Sequence, residues 1–203
     1  MTSSWEKASS IASILAVVMS ISALAVSIKS CEQAEEALNL QAKEFESQRL
    51  AVWEGLADDK NENISISSIN QDITLHSVFI TFPEGIYDSK WKISPPKFQL
   101  PLLDLRVRLI EKVNTRLPKK GGYIQIGQSH LPVLVEANYL AKGEMFYDRS
   151  IYLIDFIYTQ YDAKHKAPSI EFNSLRFLYR MKNDESFVLV LNNFKLNESI
   201  LFK

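Results

Sequence analysis

One carboxylate stands out as a residue that could do chemistry. Asp155 interrupts the apolar run 150–161, and a carboxylate in apolar surroundings can act as a general acid or base when its pKa is shifted. Buried carboxylates are more often held by a basic partner than used in catalysis. We therefore expect Asp155 to form a structural ion pair with Arg176 or Arg180 on a neighbouring strand.

Two short basic segments could bind an anion. The segment 119–122, KKGG, could bind a phosphate through a backbone nest, and 164–166, KHK, could contact a phosphate or an acidic partner. Both lie where a solvent-exposed turn is expected, the second of them shortly before Pro168. We interpret both as turns, so the sequence predicts no direct nucleic-acid site.

The other reactive residues are few. His76 lies in a strand pattern and His130 lies near Pro132, with no ligand at a metal-binding spacing, so we expect no metal and no cofactor. The single cysteine, Cys31, excludes a disulfide framework within one chain. Phosphate-binding glycine loops, zinc-protease motifs, nucleophile elbows and Cys-x-x-Cys motifs do not occur in the sequence. We therefore predict a protein that is not an enzyme.

The elements that would position these residues fall into two regions of different charge. Residues 1–59 carry four Lys/Arg and nine Asp/Glu, whereas 60–203 carry nineteen and fifteen. The uncharged stretch 8–28 would measure about 31 Å as a helix, the thickness of a bilayer's hydrocarbon core. A cleaved signal peptide would have a shorter apolar stretch and a more basic leader. We predict a tail at 1–7 and a transmembrane helix at 8–28.

Within 8–28 the small residues share one face of the helix. At 100° per residue they fall in an arc of about 100° that holds no side chain larger than Ser. Helices associate in membranes by close backbone approach across such faces. We therefore predict that the helix self-associates. The predicted helix-packing residues are Ser9, Ala12, Ser13, Ala16, Ser20, Ala23 and Ser27.

The helix is expected to continue beyond residue 28. Neither Gly nor Pro occurs before Gly55, and 32–49 is rich in good helix formers. We predict a helical stalk over 29–59 that ends near Gly55. Its weak apolar seam suits either a short coiled coil or packing on the C-terminal domain, and we favour the second.

Residues 60–203 predict a β-rich domain. Alternating apolar residues indicate several strands, and Pro101 begins a predicted helix that breaks at 119–122. The predicted strands are 73–82, 123–126, 131–140, 150–161, 170–181 and 187–194, with hairpin turns at 141–144 and 182–185. The predicted fold class is α+β: a single N-terminal transmembrane helix continuing into a helical stalk, then an antiparallel β-sandwich or partly open barrel with one helix.

This layout of an anchor, a stalk and a small β-rich domain resembles the small membrane proteins encoded beside bacterial anti-phage systems. Examples are retron-associated transmembrane effectors and the membrane-anchored β-barrel effectors of cyclic-nucleotide signalling systems. The resemblance covers the layout alone, since no residue motif is shared and some members have two spans. It implies a protein kept silent by a regulatory protein or ribonucleoprotein until infection, when its assembled helices damage the inner membrane and arrest growth.

Two functions follow from this sequence. The first is a non-enzymatic, toxin-like effector of anti-phage defence, single-pass in the bacterial inner membrane, with the lipid bilayer and a second copy as partners and its C-terminal domain in the cytoplasm. The alternative is a single-pass, membrane-tethered adaptor or sensor whose β-domain binds a protein or a small ligand. Bulky substitutions in the small-residue face would distinguish them, because an adaptor would tolerate them.

Overall fold

The structure is a computed structural model. It describes residues 3–116, 123–161, 166–182 and 184–193, without the side chains of 3–16, 46, 48, 116 and 193. The chain divides into two compact units, Met1–Leu50 and Ala51–Lys203. Each unit is described by itself below.

The first unit contains one long helix. Helix α1 spans Ser3–Arg49 and has 47 residues, a length of about 70 Å at 1.5 Å per residue. Neither Gly nor Pro interrupts it, and Ala, Leu, Glu and Gln favour the helix throughout. It ends at Arg49, short of the predicted Gly55, because Trp53 already begins the first strand of the sheet.

The predicted single-pass location in the inner membrane is wrong. Among the described residues, no helix is long and apolar enough to cross a membrane. A span needs about 20 consecutive, mostly apolar residues.

The second unit is built around one antiparallel sheet. Its eight described strands follow the order β4-β3-β6-β7-β8-β1-β2-β5, and β2 also approaches β3, so the sheet curls into a nearly closed barrel. The coarse prediction of an N-terminal helix followed by an antiparallel, barrel-like sheet is confirmed. The strands are β1 Trp53–Ala57, β2 Asn63–Ser68, β3 Ile73–Thr81, β4 Trp91–Ile93, β5 Gln99–Pro101, β6 Gln125–Ala141, β7 Glu144–Gln160 and β8 Ser169–Arg180.

A long hairpin dominates this sheet. β6 and β7 each have 17 residues and pair along their whole length. Lys142 and Gly143 close the hairpin with φ angles of 50° and 80°, as a two-residue type I′ turn requires. This confirms the predicted turn, whereas the separately predicted strands 123–126 and 131–140 are parts of one continuous strand.

The interior of the barrel is filled by alternate strand residues and by one helix. Helix α2 spans Leu103–Arg116 and buries Leu105, Leu109 and Val113 completely. Their spacing of four residues keeps these side chains on one helix face. They join Ile154 and Phe156 of β7 in the main core, and the helix predicted after Pro101 is confirmed.

A second, smaller core lies on the opposite face of the sheet. The prediction of a strand over 187–194 is wrong, because α3 forms a helix over Phe187–Asn193. Its residues Val190 and Leu191 are buried while Val188 and Leu189 are exposed, a helical rather than an alternating pattern. Val190 packs with Leu134 and Ile151 of the hairpin. The second unit therefore has two described helices instead of one.

Gly55 lies inside β1, a strand that the sequence analysis placed in the stalk. An added Cβ at Gly55 would lie 2.6 Å from Cγ2 of Ile64 and 2.9 Å from Cβ of Leu175. The glycine therefore permits close approach of β2 and β8 to β1, instead of ending a helix. A strand of five residues such as β1 offers little sequence signal of its own.

Candidate binding groove

A groove opens at one end of the barrel, where β3 ends. The loop after β3 forms one side, and side chains from α2 and α3 form the rest. It has a volume of about 700 Å³, within the range of roughly 300–1,000 Å³ that is typical of small-molecule sites. The lining residues are Thr81, Phe82, Pro83, Glu84, Gly85, Tyr87, Asp88, Lys112, Phe187, Val188 and Leu191.

Aromatic side chains pack against one another along the side of the groove that the loop forms. The ring centroid of Phe82 lies 5.1 Å from that of Tyr87 and 5.1 Å from that of Trp91, and those of Tyr87 and Trp91 are 4.4 Å apart. Tilted ring pairs of this kind add about 0.5–1.5 kcal/mol each beyond burial. The guanidinium carbon of Arg108 lies 4.2 Å from the Tyr87 ring centroid. The aromatic wall is thus held in place from α2.

Two hydroxyl groups of this wall lack partners. Thr81 Oγ1 and the Tyr87 hydroxyl are buried, and neither has a hydrogen-bond partner among the described residues. Arg108 stacks on the face of the Tyr87 ring. Because buried polar groups are nearly always paired in folded proteins, such atoms at a cavity indicate a place for a water or a ligand.

The groove also contains charged groups. Lys112 of α2 places its Nζ 3.4 Å from where a Cβ on Gly85 would lie, and Gly85 has a φ of 78°, which favours glycine. Burial raises the pKa of Tyr87, an effect that Arg108 opposes. The phenol is therefore protonated at neutral pH and can donate a hydrogen bond. Glu84 and Asp88 add two carboxylates to the lining.

A second polar cluster lies inside the domain, and its described contacts are well formed. Arg180 Nε donates to Asp148 Oδ1 at 2.8 Å, and the Ser150 hydroxyl donates to Asp148 Oδ2 at 2.8 Å. The side chain of Asp148 is only 4% exposed. Burial raises its pKa, and Arg180 and Ser150 oppose that shift.

This cluster fastens the segment that leads into β1. The Tyr152 hydroxyl accepts a hydrogen bond from the Trp53 backbone N–H at 2.9 Å, and Arg180 donates to the Ala51 carbonyl. Burial raises the pKa of Tyr139, and a hydrogen bond with the Ala51 backbone opposes that shift. Because these groups bond to one another, we interpret the cluster as structural.

The predicted ion pair of Asp155 is confirmed. Arg176 Nε lies 3.1 Å from Asp155 Oδ2, while Arg180, the other predicted partner, pairs with Asp148. The side chain of Arg176 is 57% exposed. Asp155 therefore belongs to a pair open to solvent and lies outside the groove.

The predicted helix-packing residues all lie on α1. Ser20, Ala23 and Ser27 are exposed, and self-association through them stays a prediction. The side chains of Ser9, Ala12, Ser13 and Ala16 lie outside the described residues.

The two predicted basic turns fall mostly on undescribed residues. The segment 119–122 lies outside the described part of the chain, as do 164 and 165. Lys166 is described, and its Nζ lies 3.7 Å from the ring centroid of Tyr161. Within the described ranges there is no cluster of three or more His, Cys, Asp or Glu that could hold a metal ion.

The groove was not predicted from the sequence. Its residues come from a loop and two helices that are far apart in the chain, and one of those helices was predicted as a strand. An available signal was the density of aromatic residues at Phe82, Tyr87 and Trp91 around Pro83 and Gly85, which is unusual for a solvated loop.

Fold and groove together define the second unit as a barrel-like domain with a preformed cavity at one end. Comparison with known proteins found no match for this chain. No protein-family model matches the chain, and no curated protein or solved structure matches it significantly.

Proposed function

We propose that the second unit is a non-catalytic binding module whose groove takes a small, partly apolar ligand with a hydrogen-bond-accepting group. The observation that carries this proposal is the pair of buried, unpartnered hydroxyls of Thr81 and Tyr87 in the groove wall. Leaving such groups unsatisfied costs about 1–3 kcal/mol each. A ligand that accepts hydrogen bonds from them recovers that free energy on binding.

The lining determines the class of ligand. Phe82, Phe187 and Leu191 provide apolar surface for a ring or an aliphatic chain. The hydroxyls and the ammonium group of Lys112 donate hydrogen bonds, so the polar end of the ligand must accept them. The carboxylates of Glu84 and Asp88 would repel a ligand that carries a high negative charge. A neutral or singly charged carbonyl, carboxylate or sulfonate compound fits best.

This proposal continues the sensor alternative of the sequence analysis without its membrane tether. The growth-arrest effector presupposes a membrane span, so it is not part of the proposal. Burial raises the pKa of the Tyr87 phenol, so the hydroxyl stays protonated at neutral pH and is available as a hydrogen-bond donor.

Fluorescence titration with 8-anilinonaphthalene-1-sulfonate tests the proposal, because this probe combines aromatic rings with one sulfonate. We expect saturable binding with one site per chain. Lys112→Gln, which removes the ammonium donor, should weaken binding by about fivefold or more. Lys92→Gln is the matched control, since Lys92 is exposed on β4 and lies outside the groove lining.

Two results would overturn the proposed function. One is the absence of saturable binding to the folded wild-type chain. The other is equal affinity in the wild type, Lys112→Gln and Lys92→Gln, which would place the probe elsewhere. Amide chemical-shift changes confined to 81–88 and the facing helix residues would support the groove directly.

A further inference from the structure

The first half of β6 presents a free edge of the sheet. All 17 residue pairs between Gln125–Ala141 and β7 are formed, but β3 pairs only with Leu134 to Ala141. Among the described residues, the part of β6 before Leu134 therefore has a strand on one side and none on the other. Such an edge is a template for another strand.

The register shows which main-chain groups point outward. The two-residue turn at Lys142 and Gly143 makes Ala141 and Glu144 a hydrogen-bonded pair. Because bonded and non-bonded pairs alternate along an antiparallel ladder, the odd-numbered residues of β6 bond to β7. The N–H and C=O groups of Ile126, Gln128 and His130 thus point away from β7.

Proline occupies the next outward position. Pro132 follows in the same alternation, immediately before the part of β6 that β3 covers. A proline has no N–H to donate, so it breaks no ladder bond here and marks where the free edge ends. The open stretch is therefore Gln125 to Leu131, which we call the β6 edge.

The β6 edge lacks the charged side chains that often prevent edge pairing. No Asp, Glu, Lys or Arg occurs between Gly121 and Val135, although charged side chains are a common means of blocking edges. Two apolar side chains at the start of this edge are exposed: Ile124, just before it, at 62% and Ile126, within it, at 72%. An uncharged, apolar edge pairs with an identical edge without like-charge repulsion.

We propose that the β6 edge pairs with the β6 edge of a second copy of this chain, antiparallel, so that two barrels share one extended sheet. A twofold axis through the edge makes the donors and acceptors of each copy face those of the other. Ile126 and its counterpart then lie on the same face of the joined sheet. Both lose solvent exposure across the interface.

Sedimentation equilibrium of the full chain tests this pairing. We expect the wild type to dimerise reversibly and Ile126→Lys to raise the dimer dissociation constant at least about tenfold. Leu56→Lys is the matched control. Leu56 is 68% exposed, but its strand has partners on both sides, at Ser65 and Ser174. The same added charge there should leave the dimer unchanged.

A second variant separates main-chain pairing from side-chain contact. Gln128→Pro removes an outward N–H without removing a bond to β7, so it should weaken the dimer as Ile126→Lys does while circular dichroism stays that of the folded chain. A wild-type chain that is monomeric at the highest concentration reached would overturn the proposal. So would a dimer that both Ile126→Lys and Gln128→Pro leave intact, which would place self-association on another surface such as α1.

Discussion

The two polar clusters of the second unit differ in how fully their groups are partnered. Around Asp148, the carboxylate accepts from Arg180 and Ser150, and neighbouring side chains hold the backbone at Ala51 and Trp53. In the groove, the Thr81 and Tyr87 hydroxyls have no described partner. The groups named in the first arrangement bond to one another, whereas we propose that a ligand pairs with the two hydroxyls of the second.

The difference indicates which cluster contributes to the stability of the fold and which one could contribute free energy to ligand binding. A satisfied buried network specifies one conformation, and breaking it is costly. Unsatisfied groups beside a cavity lower stability slightly, and a ligand that pairs with them recovers that free energy on binding. Variants in the Asp148 cluster should therefore change stability, and matched variants in the groove should change affinity.

The largest effect is expected from Asp148→Ala. It leaves the partly buried Arg180 without its carboxylate, which should lower the free energy of unfolding by about 3 kcal/mol. The matched control is Asp155→Ala on the same strand, whose partner Arg176 is 57% exposed, with an expected loss below about 1 kcal/mol. Urea denaturation measures both. Equal losses would show that the Asp148 pair is no more important than a surface pair.

A pair of Tyr→Phe variants gives the next largest effect. Tyr152→Phe leaves the buried Trp53 N–H without its acceptor and should cost about 1–2 kcal/mol. Tyr87→Phe removes a hydroxyl that has no described partner, so stability should stay within about 0.5 kcal/mol of the wild type or rise. A Tyr87→Phe loss as large as that of Tyr152→Phe would mean that its hydroxyl is satisfied in the free protein.

The smallest effect is a pH dependence. Burial raises the pKa of Asp148 above 3.8, so the folded chain binds more protons than the unfolded chain between 3.8 and the raised value. The stability contribution of this carboxyl is then fully present below 3.8 and is lost as pH rises through the raised pKa. The difference in unfolding free energy between the wild type and the non-titrating Asp148→Asn should therefore fall over that window.

Glu136 provides a control of opposite sign. Burial raises its pKa, but hydrogen bonds from Lys90 and Tyr147 outweigh burial and hold the pKa below 4.5. Its stability contribution is present above 4.5 and is lost as pH falls through the lowered pKa. The difference between the wild type and Glu136→Gln should therefore rise with pH. A rising difference for Asp148→Asn as well would contradict the assigned role of burial.

The parts of the fold with strong local periodicity were predictable. The alternation in β6 and β7 and the spacing of Leu105, Leu109 and Val113 in α2 each indicated the correct element. The ion pair of Asp155 was predictable too, because a lone carboxylate in an apolar strand needs a cation nearby.

Other parts depend on long-range packing and were not predictable. The short apolar run in α3 suits a strand or a helix, and its packing on Leu134 and Ile151 decides for the helix. β1 and β2 are short, with five and six residues, and their pairing partners are distant in the chain or set by the turn between them. The groove joins Thr81, Lys112 and Leu191, which no local pattern connects.

The proposal that the groove is a binding site is best tested by measuring the affinity of 8-anilinonaphthalene-1-sulfonate for two variants. Tyr87→Phe removes the hydroxyl that we propose donates to the ligand, whereas Tyr152→Phe removes an acceptor used within the fold. We predict binding weaker by about three- to tenfold in Tyr87→Phe and wild-type affinity in folded Tyr152→Phe. Unchanged affinity in Tyr87→Phe, or an equal loss in both variants, would contradict the claim that the groove is the binding site.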